Sequence, residues 1–404
     1  MTVSAGASEA PATDKSAERR AVAVSCGAHA LHDGYTDLLY VMLPIWQHEF
    51  GLGFAALGLM KTVFSGTLAG FQIPAGFLAE RFGTAIVLAL GTALAGLGYM
   101  LAGFSVGVGM LVAALFVGGL GASTQHPLGS SLIAHAFAGP RSLKALGTYN
   151  FAGDIGKMTL PAAASLLFVL LPWRHALMLL GGIGVVAAAA IFVTIPRFAA
   201  AAPAPRKVTD AAAGGGRLRG YGFPLLLSVG VLDSATRMAF LTFLPFVLTA
   251  KGASLPTIGA ALTLVFAGGA AGKLVCAFIG ARIGAVATVW LTEAVTALGI
   301  VALLPLPLDA ALLLLPVVGV ALNGTSSVLY GSVPELVPPE RRQRAFGIFY
   351  TGTIGAGAVS PALYGMLGDA VGVPSALVVV AAAVLVTLPI TLALRPALAS
   401  APAP

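Results

Sequence analysis

Twelve long apolar stretches divide this 404-residue sequence, and they constrain its fold more than any other feature. They run at roughly 22–49, 54–79, 84–104, 107–136, 144–171, 174–195, 222–249, 255–280, 284–304, 308–336, 342–368 and 373–395. A helix of about 20 apolar residues crosses the hydrocarbon core of a bilayer, whereas the strands of a membrane barrel have about half that length. The pattern therefore predicts an all-α integral membrane protein with twelve transmembrane helices.

The composition agrees with a membrane protein and excludes other classes. Only 9% of the residues are Asp, Glu, Lys or Arg, and 58% are hydrophobic. An ordinary soluble domain is about 25% charged, so this chain cannot cover a water-facing surface. A soluble enzyme, a nucleic-acid-binding protein and a disordered chain are excluded. The net charge of +7 does not indicate nucleic acid, because the basic residues lie in short gaps between apolar stretches. Cys26 and Cys276 both lie in apolar stretches, so no disulfide framework is predicted.

The apolar stretches form two sets of six, and these sets define the predicted domains. Residues 1–20 are polar and small, and we expect a disordered cytoplasmic tail there rather than a signal peptide. An N-terminal six-helix bundle follows at 21–196, and then a cytoplasmic linker rich in Ala, Pro, Gly and Arg at 197–220. A C-terminal six-helix bundle at 221–396 precedes a short cytoplasmic tail at 397–404.

The basic residues are unevenly distributed between the two sides of this topology. If both termini are cytoplasmic, sixteen of the 22 Lys and Arg residues lie on the inner side. The outer loops hold only Arg174 and Lys251, and the remaining four basic residues lie within helices. Positive charge accumulates on the cytoplasmic side of membrane proteins. We therefore expect a multi-pass protein of a bacterial inner membrane with both termini in the cytoplasm.

The two halves of the chain match each other at an offset near 200 residues. The matching pairs include Pro44 and Pro245, Gly147 and Gly347, and Pro161 and Pro361. Their order and near-constant spacing indicate an internal duplication rather than chance. Two parallel six-helix repeats imply a central cavity between the halves, where transporters built in this way bind their substrates.

The segment between the second and third stretches resembles the signature loop of the major facilitator superfamily. It reads GFLAERFG at 76–83, where that loop has Gly-x-Leu-Ala-Asp-Arg-x-Gly followed by a basic residue. Glu80 replaces the usual Asp, and Thr84 and Ala85 stand where basic residues are expected. The resemblance extends over the whole chain outside the tails. It implies the major facilitator fold, with transport by alternating access.

Two shorter strings are similar to the fosmidomycin-resistance group of drug exporters within that superfamily. They are His29-x-x-His32-Asp33 in the first helix and Gln125-His126-Pro127 in the fourth. That group has His-x-x-Asn-Asp and Phe-His-Pro at these places, so His32 and Gln125 are departures. The resemblance implies export of a small drug or metabolite.

Nine charged residues lie inside the predicted membrane-spanning region, away from the ends of the helices. The acidic ones are Asp33, Asp37, Asp154, Asp233 and Glu293, and the basic ones are Lys61, Lys157, Arg237 and Lys273. A charge at the bilayer centre costs about 3 kcal/mol or more, so each is a candidate functional residue. The near balance of charge indicates pairing. Lys61 lies about two turns into its helix, where its ammonium can instead extend to the membrane surface.

The first helix carries the residues that we expect to handle protons. His29, Asp33 and Asp37 follow each other at i, i+4 and i+8 and share one face. A His beside a carboxylate titrates near physiological pH, and desolvated neighbouring carboxylates retain protons more readily. We predict that Asp33 carries the transported proton, with His29, Asp37 and Asp154 in support.

Two alternatives remain for the same face. Asp33 can form a fixed salt bridge with Lys157 or Arg237, in which case it is structural. His29, His32 and Asp33 can also be considered as a metal site, but two neighbouring His residues do not make one by themselves. No metal and no other cofactor is predicted.

Basic and polar side chains of the predicted cavity are the candidates for substrate binding. They are Arg237, Lys157, Lys273, His126, Asn150, Gln125, Asp233 and Asn323. Asp233 and Arg237 are four residues apart, so they can form a local ion pair. Alternatively, Asp233 holds Arg237 until an anionic substrate competes for it. The guanidinium fork matches carboxylate and phosphonate groups bidentately, so a small anionic substrate is predicted.

The same resemblance implies that residues at the cytoplasmic face act as a gate. They are Glu80, Arg81, Gly83, Arg141, Arg282, Glu335 and Arg341. Glu80 and Arg81 are expected to pair with Arg141, or with the first turn of the eleventh helix, whose dipole favours an acid. For the cluster of Arg341, Arg342 and Arg344, setting the membrane orientation is the alternative role. Gly66 and Gly70 are expected to let the second helix pack closely against a neighbour.

The predicted function is proton-driven export of a small anionic drug or metabolite by antiport, by a functional monomer in the lipid bilayer. Its partners are the substrate and protons, and not nucleic acid. No Gly-x-x-x-x-Gly-Lys-Ser/Thr segment is present, so ATP drive is not expected. Uptake of an organic anion by proton symport uses the same residues and is the first alternative. A membrane sensor would need an attached signalling domain, and an intramembrane enzyme would need a nucleophile–base or metal constellation.

Overall fold

The computed structural model describes residues 15–137, 140–195 and 221–399. These residues form α-helices joined by short turns, with one 3₁₀ turn at Pro339–Arg341. The helices are α1 Lys15–Phe50, α2 Phe54–Phe82, α3 Thr84–Gly103, α4 Val108–Ala122, α5 Gln125–Ala136, α6 Pro140–Leu170, α7 Trp173–Thr194, α8 Gly222–Ala250, α9 Leu255–Ile283, α10 Ala285–Leu303, α11 Leu308–Leu336, α12 Arg342–Val371, α13 Val373–Leu385 and α14 Thr387–Ala399. The fourth predicted helix is divided into α4 and α5, and the twelfth into α13 and α14.

The helical region is longer at both ends than the sequence predicts. Helix α1 begins at Lys15, so residues 15–20 are helical and the prediction of a disordered tail is wrong for them. The reason is that Glu18 is buried and bound by Arg141, which extends the first helix beyond its apolar stretch. Helix α14 continues to Ala399, past the predicted boundary at 396. The predicted linker at 197–220 lies outside the described residues.

The outer surface of the bundle is suited to lipid. Ten spans have the length and apolar composition to cross a membrane, and α1 and α12 are longer and more polar, at 36 and 30 residues. Large apolar side chains face outward, among them Val186, Leu298 and Leu313. A protein in water does not expose apolar surface on this scale. The chain is therefore a multi-pass membrane protein, and the predicted all-α fold is confirmed.

The two halves of the chain form two bundles, α1–α7 and α8–α14, with matching turns. Gly83 joins α2 to α3 with φ +91°, and Gly284 joins α9 to α10 with φ +83°. A residue with a Cβ is disfavoured at such angles, so both turns need glycine. The shared geometry agrees with the internal duplication that the sequence indicates.

The bundles meet along α2 with α12 and along α6 with α9. On α2 the close approach is made by Gly58, because a Cβ there would overlap the carbonyl oxygen of Pro361. Nothing lies within 4 Å of a Cβ built on Gly66 or Gly70. The predicted packing role of that glycine pair is therefore wrong, because the other bundle approaches α2 nearer its first residue.

Polar contacts between the bundles define which end is closed. We call the end that holds residues 50–54 and 371–373 the predicted outer end, and the opposite end the predicted inner end. Within the described residues, the bundles are joined by Tyr40 to Met238 (3.3 Å), Thr263 to the Met158 carbonyl (2.6 Å), Lys273 to Asp154 (2.7 Å), and Asp369 to the start of α2 (2.6 and 2.9 Å). The Lys273–Asp154 bridge lies near the middle of the spans, and the other three contacts lie between the middle and the predicted outer end, so that end is closed.

Candidate functional site

Four side chains from three helices meet at the middle of the N-terminal bundle. The Asp33 carboxylate of α1 lies 3.3 Å from His29 Nε2 and 3.3 Å from Lys157 Nζ of α6. His126 Nε2 of α5 approaches its other oxygen at 3.7 Å. We call Asp33, His29, His126 and Lys157 the Asp33 cluster. Its carboxylate is almost fully buried, whereas the Lys157 and His126 side chains are about one-third exposed.

The hydrogen bonds of His29 determine where its protons lie. Nδ1 is 2.8 Å from the Tyr149 carbonyl oxygen, and a carbonyl only accepts, so Nδ1 carries a hydrogen. In a neutral imidazole Nε2 would then present a lone pair to the Asp33 carboxylate. That contact is attractive only when a proton lies between the two groups, on the imidazole or on the carboxyl. A proton shared between the imidazole and the carboxyl group would therefore make this contact a hydrogen bond.

Two residues that the sequence prediction did not assign to the site shape this pair. The Tyr149 ring stacks on His29 with centroids 4.0 Å apart. Gly153 faces both groups, because a Cβ there would lie 2.7 Å from Asp33 Oδ2 and from His29 Nε2. The position of Gly153, four residues after Tyr149 on the polar face of α6, was the available signal.

His32 does not belong to the cluster. Its Nε2 lies 2.9 Å from Thr92 Oγ1, and the Thr92 hydroxyl donates to the Leu88 carbonyl at 2.9 Å. His32 therefore faces α3, and the metal site considered at His29, His32 and Asp33 is not assembled. The nitrogen and oxygen atoms of His29, Asp33 and His126 do lie within 4.8 Å of one another. The Lys157 ammonium already supplies positive charge to that carboxylate.

A second ion pair joins the two bundles. Lys273 Nζ of α9 donates to both carboxylate oxygens of Asp154 on α6, each at 2.7 Å. The Asp154 side chain is mostly buried, and the Lys273 side chain is 42% exposed. The predicted proton residue Asp154 and the predicted substrate residue Lys273 are thus partners. The bridge can form only while α6 and α9 are close.

Asp37 and Lys61 lie deeper, next to the first bundle's core. Both are buried, and among the described residues no basic group lies within 4.0 Å of Asp37. Lys61 Nζ donates to the Thr36 carbonyl at 2.9 Å and sits 4.3 Å from the Tyr40 ring centroid. Lys61 therefore does not extend to the membrane surface, because α1 offers it a carbonyl and an aromatic face inside the protein.

The C-terminal bundle holds a separate group of charges. Asp233 and Glu293 are buried, at 3% and 1% exposed. Asp233 and Arg237, both in the described part of α8, do not come within the 4.0 Å of an ion pair, so the predicted local pair is not formed. Arg237 Nε and Glu293 Oε1 are buried without a hydrogen-bond partner among the described residues. The guanidinium is the intramembrane cation left without a carboxylate or carbonyl contact in the described chain.

The remaining predicted substrate residues differ in accessibility. Asn150 is exposed on α6. Gln125 is fully buried, and its Nε2 lies 3.4 Å from the Tyr149 hydroxyl. It therefore contacts the Asp33 cluster only indirectly, through the Tyr149 ring that stacks on His29. Asn323 donates to the Gly319 carbonyl at 3.3 Å and packs against Gly269 of α9.

The predicted gate is arranged differently from expectation. Glu80 and Arg141, both described, do not pair, and Glu80 is exposed. Arg141 Nη2 donates to Glu18 Oε2 at 2.5 Å instead, because α1 and α6 begin side by side. Arg81 lies over the Phe82 ring at 5.4 Å.

The other gating candidates lie at the predicted inner end of the second bundle. Arg282 is in the last turn of α9, Glu335 is in the last turn of α11, and Arg341 ends the 3₁₀ turn before α12. Glu335 lines a groove there together with Arg395 of α14. They share one end of the bundle, and their gating role stays a prediction.

A family model for the Major Facilitator Superfamily matches this chain twice, over residues 26–226 and 226–404. Each match covers one six-helix half. The chain therefore belongs to the major facilitator superfamily. It is a membrane transporter and not an enzyme.

Curated relatives are named as transporters and exporters. The probable sulfoacetate transporter SauU of Cupriavidus necator is 30% identical over 144 residues, 35% of this chain and 33% of that protein. The cephamycin export protein CmcT of Amycolatopsis lactamdurans is 31% identical over 189 residues, 46% of this chain and 38% of that protein. These matches span little more than a third of the relatives' lengths. An MFS-type efflux pump of Mycolicibacterium smegmatis is 28% identical over 337 residues, 80% of this chain and 78% of that protein.

Solved structures share the fold. A bacterial homologue of the human lysosomal transporter Spinster, inward-facing and occupied, superposes with a TM-score of 0.80 at 14% identity, covering 97% of this chain and 100% of that one. The nucleoside transporter NupG superposes with a TM-score of 0.76 at 14% identity, covering 93% and 99%. The resemblance to the fosmidomycin-resistance group stays a prediction.

Proposed function

We propose that this chain transports a small organic anion by alternating access and couples that transport to protons at the Asp33 cluster. The observation that carries the proposal is one buried carboxylate in contact with Lys157 at 3.3 Å, His29 at 3.3 Å and His126 at 3.7 Å. A single proton changes the charge of this carboxylate and thereby its hold on all three partners.

The proton and an anion would reinforce each other's binding at this site. A proton on Asp33 removes the charge that holds the Lys157 ammonium, so the ammonium becomes available to an anion. An anion that takes the ammonium leaves Asp33 without its counter-charge, which favours the protonated carboxyl. This coupling is reciprocal by thermodynamic necessity. The same reasoning applies to Asp154 and Lys273.

Mutual reinforcement is the requirement for symport, in which proton and substrate cross together. The geometry therefore favours proton–anion symport, the alternative named from the sequence, over antiport of an anion. Symport explains why each partly exposed intramembrane lysine is held by a carboxylate that a proton can neutralise.

Antiport is the second candidate, and the names of relatives favour it. The efflux pump aligns over 78% of its length, and another relative is named a cephamycin exporter. Antiport requires that substrate and proton compete for one group. An exported molecule would then bind the Asp33 carboxylate itself, through a positive charge or a hydrogen-bond donor, rather than through Lys157.

Arg237 is proposed as the anion contact on the opposite bundle. Its buried Nε has no partner among the described residues, and an unsatisfied buried donor is costly. One relative is named a probable sulfoacetate transporter, and sulfoacetate carries two anionic groups. A substrate of this kind would match one cation from each bundle, Lys157 and Arg237.

The setting of the protein completes the proposal. The three relatives named above come from bacteria, which supports a bacterial inner membrane. The distribution of Lys and Arg supports cytoplasmic termini. Because each chain contains both bundles, we propose a functional monomer.

The deciding experiment measures binding against pH on the purified protein. The affinities for sulfoacetate and for fosmidomycin are measured by calorimetry between pH 5.5 and 8, in steps of about one pH unit. Symport predicts tighter binding and proton uptake as pH falls, whereas antiport predicts weaker binding and proton release. Resistance of a pump-deficient bacterium expressing the chain to small anionic antimicrobials shows which of them it exports.

Asp33→Asn is the variant that tests the proton site. Its anion affinity should lose most of the wild-type dependence on pH, because its amide cannot take the proton and only the Asp154–Lys273 pair remains as a proposed proton site. Asp309→Asn, at an exposed acid in the first turn of α11, should keep the wild-type dependence. A full pH dependence in Asp33→Asn would show that the proton is carried elsewhere.

A further inference from the structure

We propose that Asp369 is a gating residue whose carboxylate caps the N-terminus of α2 across the domain interface and thereby holds the predicted outer end closed. The inference rests on the alternating access proposed above. It requires neither the proton coupling nor the substrate class.

The contact is made by two hydrogen bonds between the halves of the chain. Asp369, near the end of α12, accepts from the Phe54 N–H at 2.6 Å and from the Ala55 N–H at 2.9 Å. These are the first two backbone donors of α2, which have no partner within the helix. The helix dipole adds attraction for a carboxylate at this end, and hydrogen bonds to an ionised acceptor are the strong kind.

Helix α2 has no N-terminal cap of its own. The residue before it is Gly53, which makes no side-chain hydrogen bond. A Cβ on Gly53 would lie 2.9 Å from both Asp369 carboxylate oxygens. Glycine at this position therefore leaves the space that the carboxylate of the other bundle occupies.

Helix α9, which corresponds to α2 in the second half of the chain, has an N-terminal cap of its own. Helix α9 begins after Ser254, whose Oγ accepts from the Thr257 N–H at 3.4 Å, so α9 carries its own cap. Of these two corresponding helices, α2 depends on the opposite bundle. Its cap exists only while α2 and α12 are together, and it is lost when they separate.

The neighbourhood of the cap suits a reversible contact. Gly365, one turn before Asp369, approaches the Phe54 carbonyl closely, and the Phe54 ring packs on Phe243 and Phe246 at 6.0 and 5.1 Å. The carboxylate lies at the exposed rim of this contact. Water can therefore solvate Asp369 once α2 leaves, which keeps the open state accessible.

The other end of the same helix pair holds the matching element. Glu80 ends α2 at the predicted inner end, is exposed, and is predicted to meet the first turn of α12. Asp369 of α12 caps the start of α2 at the predicted outer end, and Glu80 of α2 would cap the start of α12 at the predicted inner end. The two contacts would thus lie at opposite ends of one helix pair. The contact of Asp369 is the one that is formed, as expected for a chain closed at the predicted outer end.

The test measures the separation of the outer ends in the full chain. Spin labels are attached through Val106→Cys and Asp309→Cys, one in each bundle near the predicted outer end, in a Cys26→Ser and Cys276→Ser background. Pulsed electron resonance without substrate gives the ratio of closed to open distances. Asp369→Ala should raise the open fraction by about tenfold, because two charge-assisted hydrogen bonds are lost. Asp369→Asn, with one neutral acceptor, should shift it less.

Matched glycine variants separate the cap from a general effect of substitution. Gly53→Ala places a methyl against the Asp369 carboxylate and should shift the ratio in the same direction. Gly66→Ala, with nothing within 4 Å of the new methyl, should leave it unchanged. Unaltered distances in both Asp369→Ala and Gly53→Ala would overturn the proposal, and Gly53→Ala decides alone if the Asp369 variants do not fold. If Asp33→Asn keeps its pH dependence while Asp369→Ala shifts the ratio of closed to open distances, only the proposed proton coupling is wrong.

Discussion

Gly153→Ala is a small change that the structure predicts to have a large functional effect. A methyl group on Gly153 would lie 2.7 Å from Asp33 Oδ2 and from His29 Nε2 and Cε1. Real Cβ atoms do not make contacts this short, so His29 or Asp33 must move. Because the 3.3 Å contact between these two groups is the proposed proton site, the variant should disturb the proposed coupling directly.

The magnitude follows from two opposing effects. Replacing Gly by Ala inside a helix favours the folded state by about 1 kcal/mol. Forcing a methyl into a packed site costs about 1–3 kcal/mol. The net expectation for Gly153→Ala is therefore from no change to about 2 kcal/mol of destabilisation. Gly147→Ala lies on the same helix with nothing within 4 Å of the new methyl, so it should show only the gain.

Thermal unfolding in detergent and ligand binding against pH distinguish the two variants. Gly147→Ala should unfold at the wild-type temperature or above it, and should keep the pH dependence of anion binding. Gly153→Ala should unfold lower than Gly147→Ala and lose most of that dependence. If both variants gain stability equally and bind with the same pH dependence, Gly153 does not face the Asp33–His29 contact and the arrangement of the cluster is wrong.

Two further substitutions test contacts elsewhere in the membrane. Lys273→Ala should lower the free energy of unfolding by about 1–3 kcal/mol, because it leaves the Asp154 carboxylate buried without its counter-charge. The double exchange Asp154→Lys with Lys273→Asp should restore part of that loss. The absence of any rescue would show that the loss of the bridge is not the cause. Thr92→Val should lower the free energy of unfolding by about 1–3 kcal/mol, because it removes the acceptor of the buried His32 Nε2–H. Thermal unfolding measures this loss. Thr92→Ser keeps the hydroxyl and should lose much less stability.

Part of the site could be predicted from one helix at a time. His29 and Asp33 are four residues apart, and the helical repeat alone brings them together. The same rule gave a wrong result for Asp233 and Arg237, which have the same spacing but do not pair. Spacing places two side chains on one face, but the rotamers and the surrounding helices decide whether they meet.

Contacts between helices required the tertiary structure. The sequence does not decide that Lys157 reaches Asp33 while Lys273 reaches Asp154, because both lysines and both acids are chemically equivalent candidates. Asp369 was missed because it looks like an ordinary acid in a short loop. The uncapped start of α2 after Gly53 was the signal that an acceptor must come from elsewhere.

The class of this protein follows from its sequence alone. The sequence has twelve apolar stretches, 9% charged residues and a repeat at an offset near 200. Together these features predict two six-helix bundles in a membrane, because a bilayer admits few backbone arrangements. The tertiary structure decided the pairing of the charges, the group that fills each glycine gap, and the end at which the bundles are closed. These depend on distances of a few ångströms between residues over a hundred positions apart, and one-dimensional spacing carries no information about them.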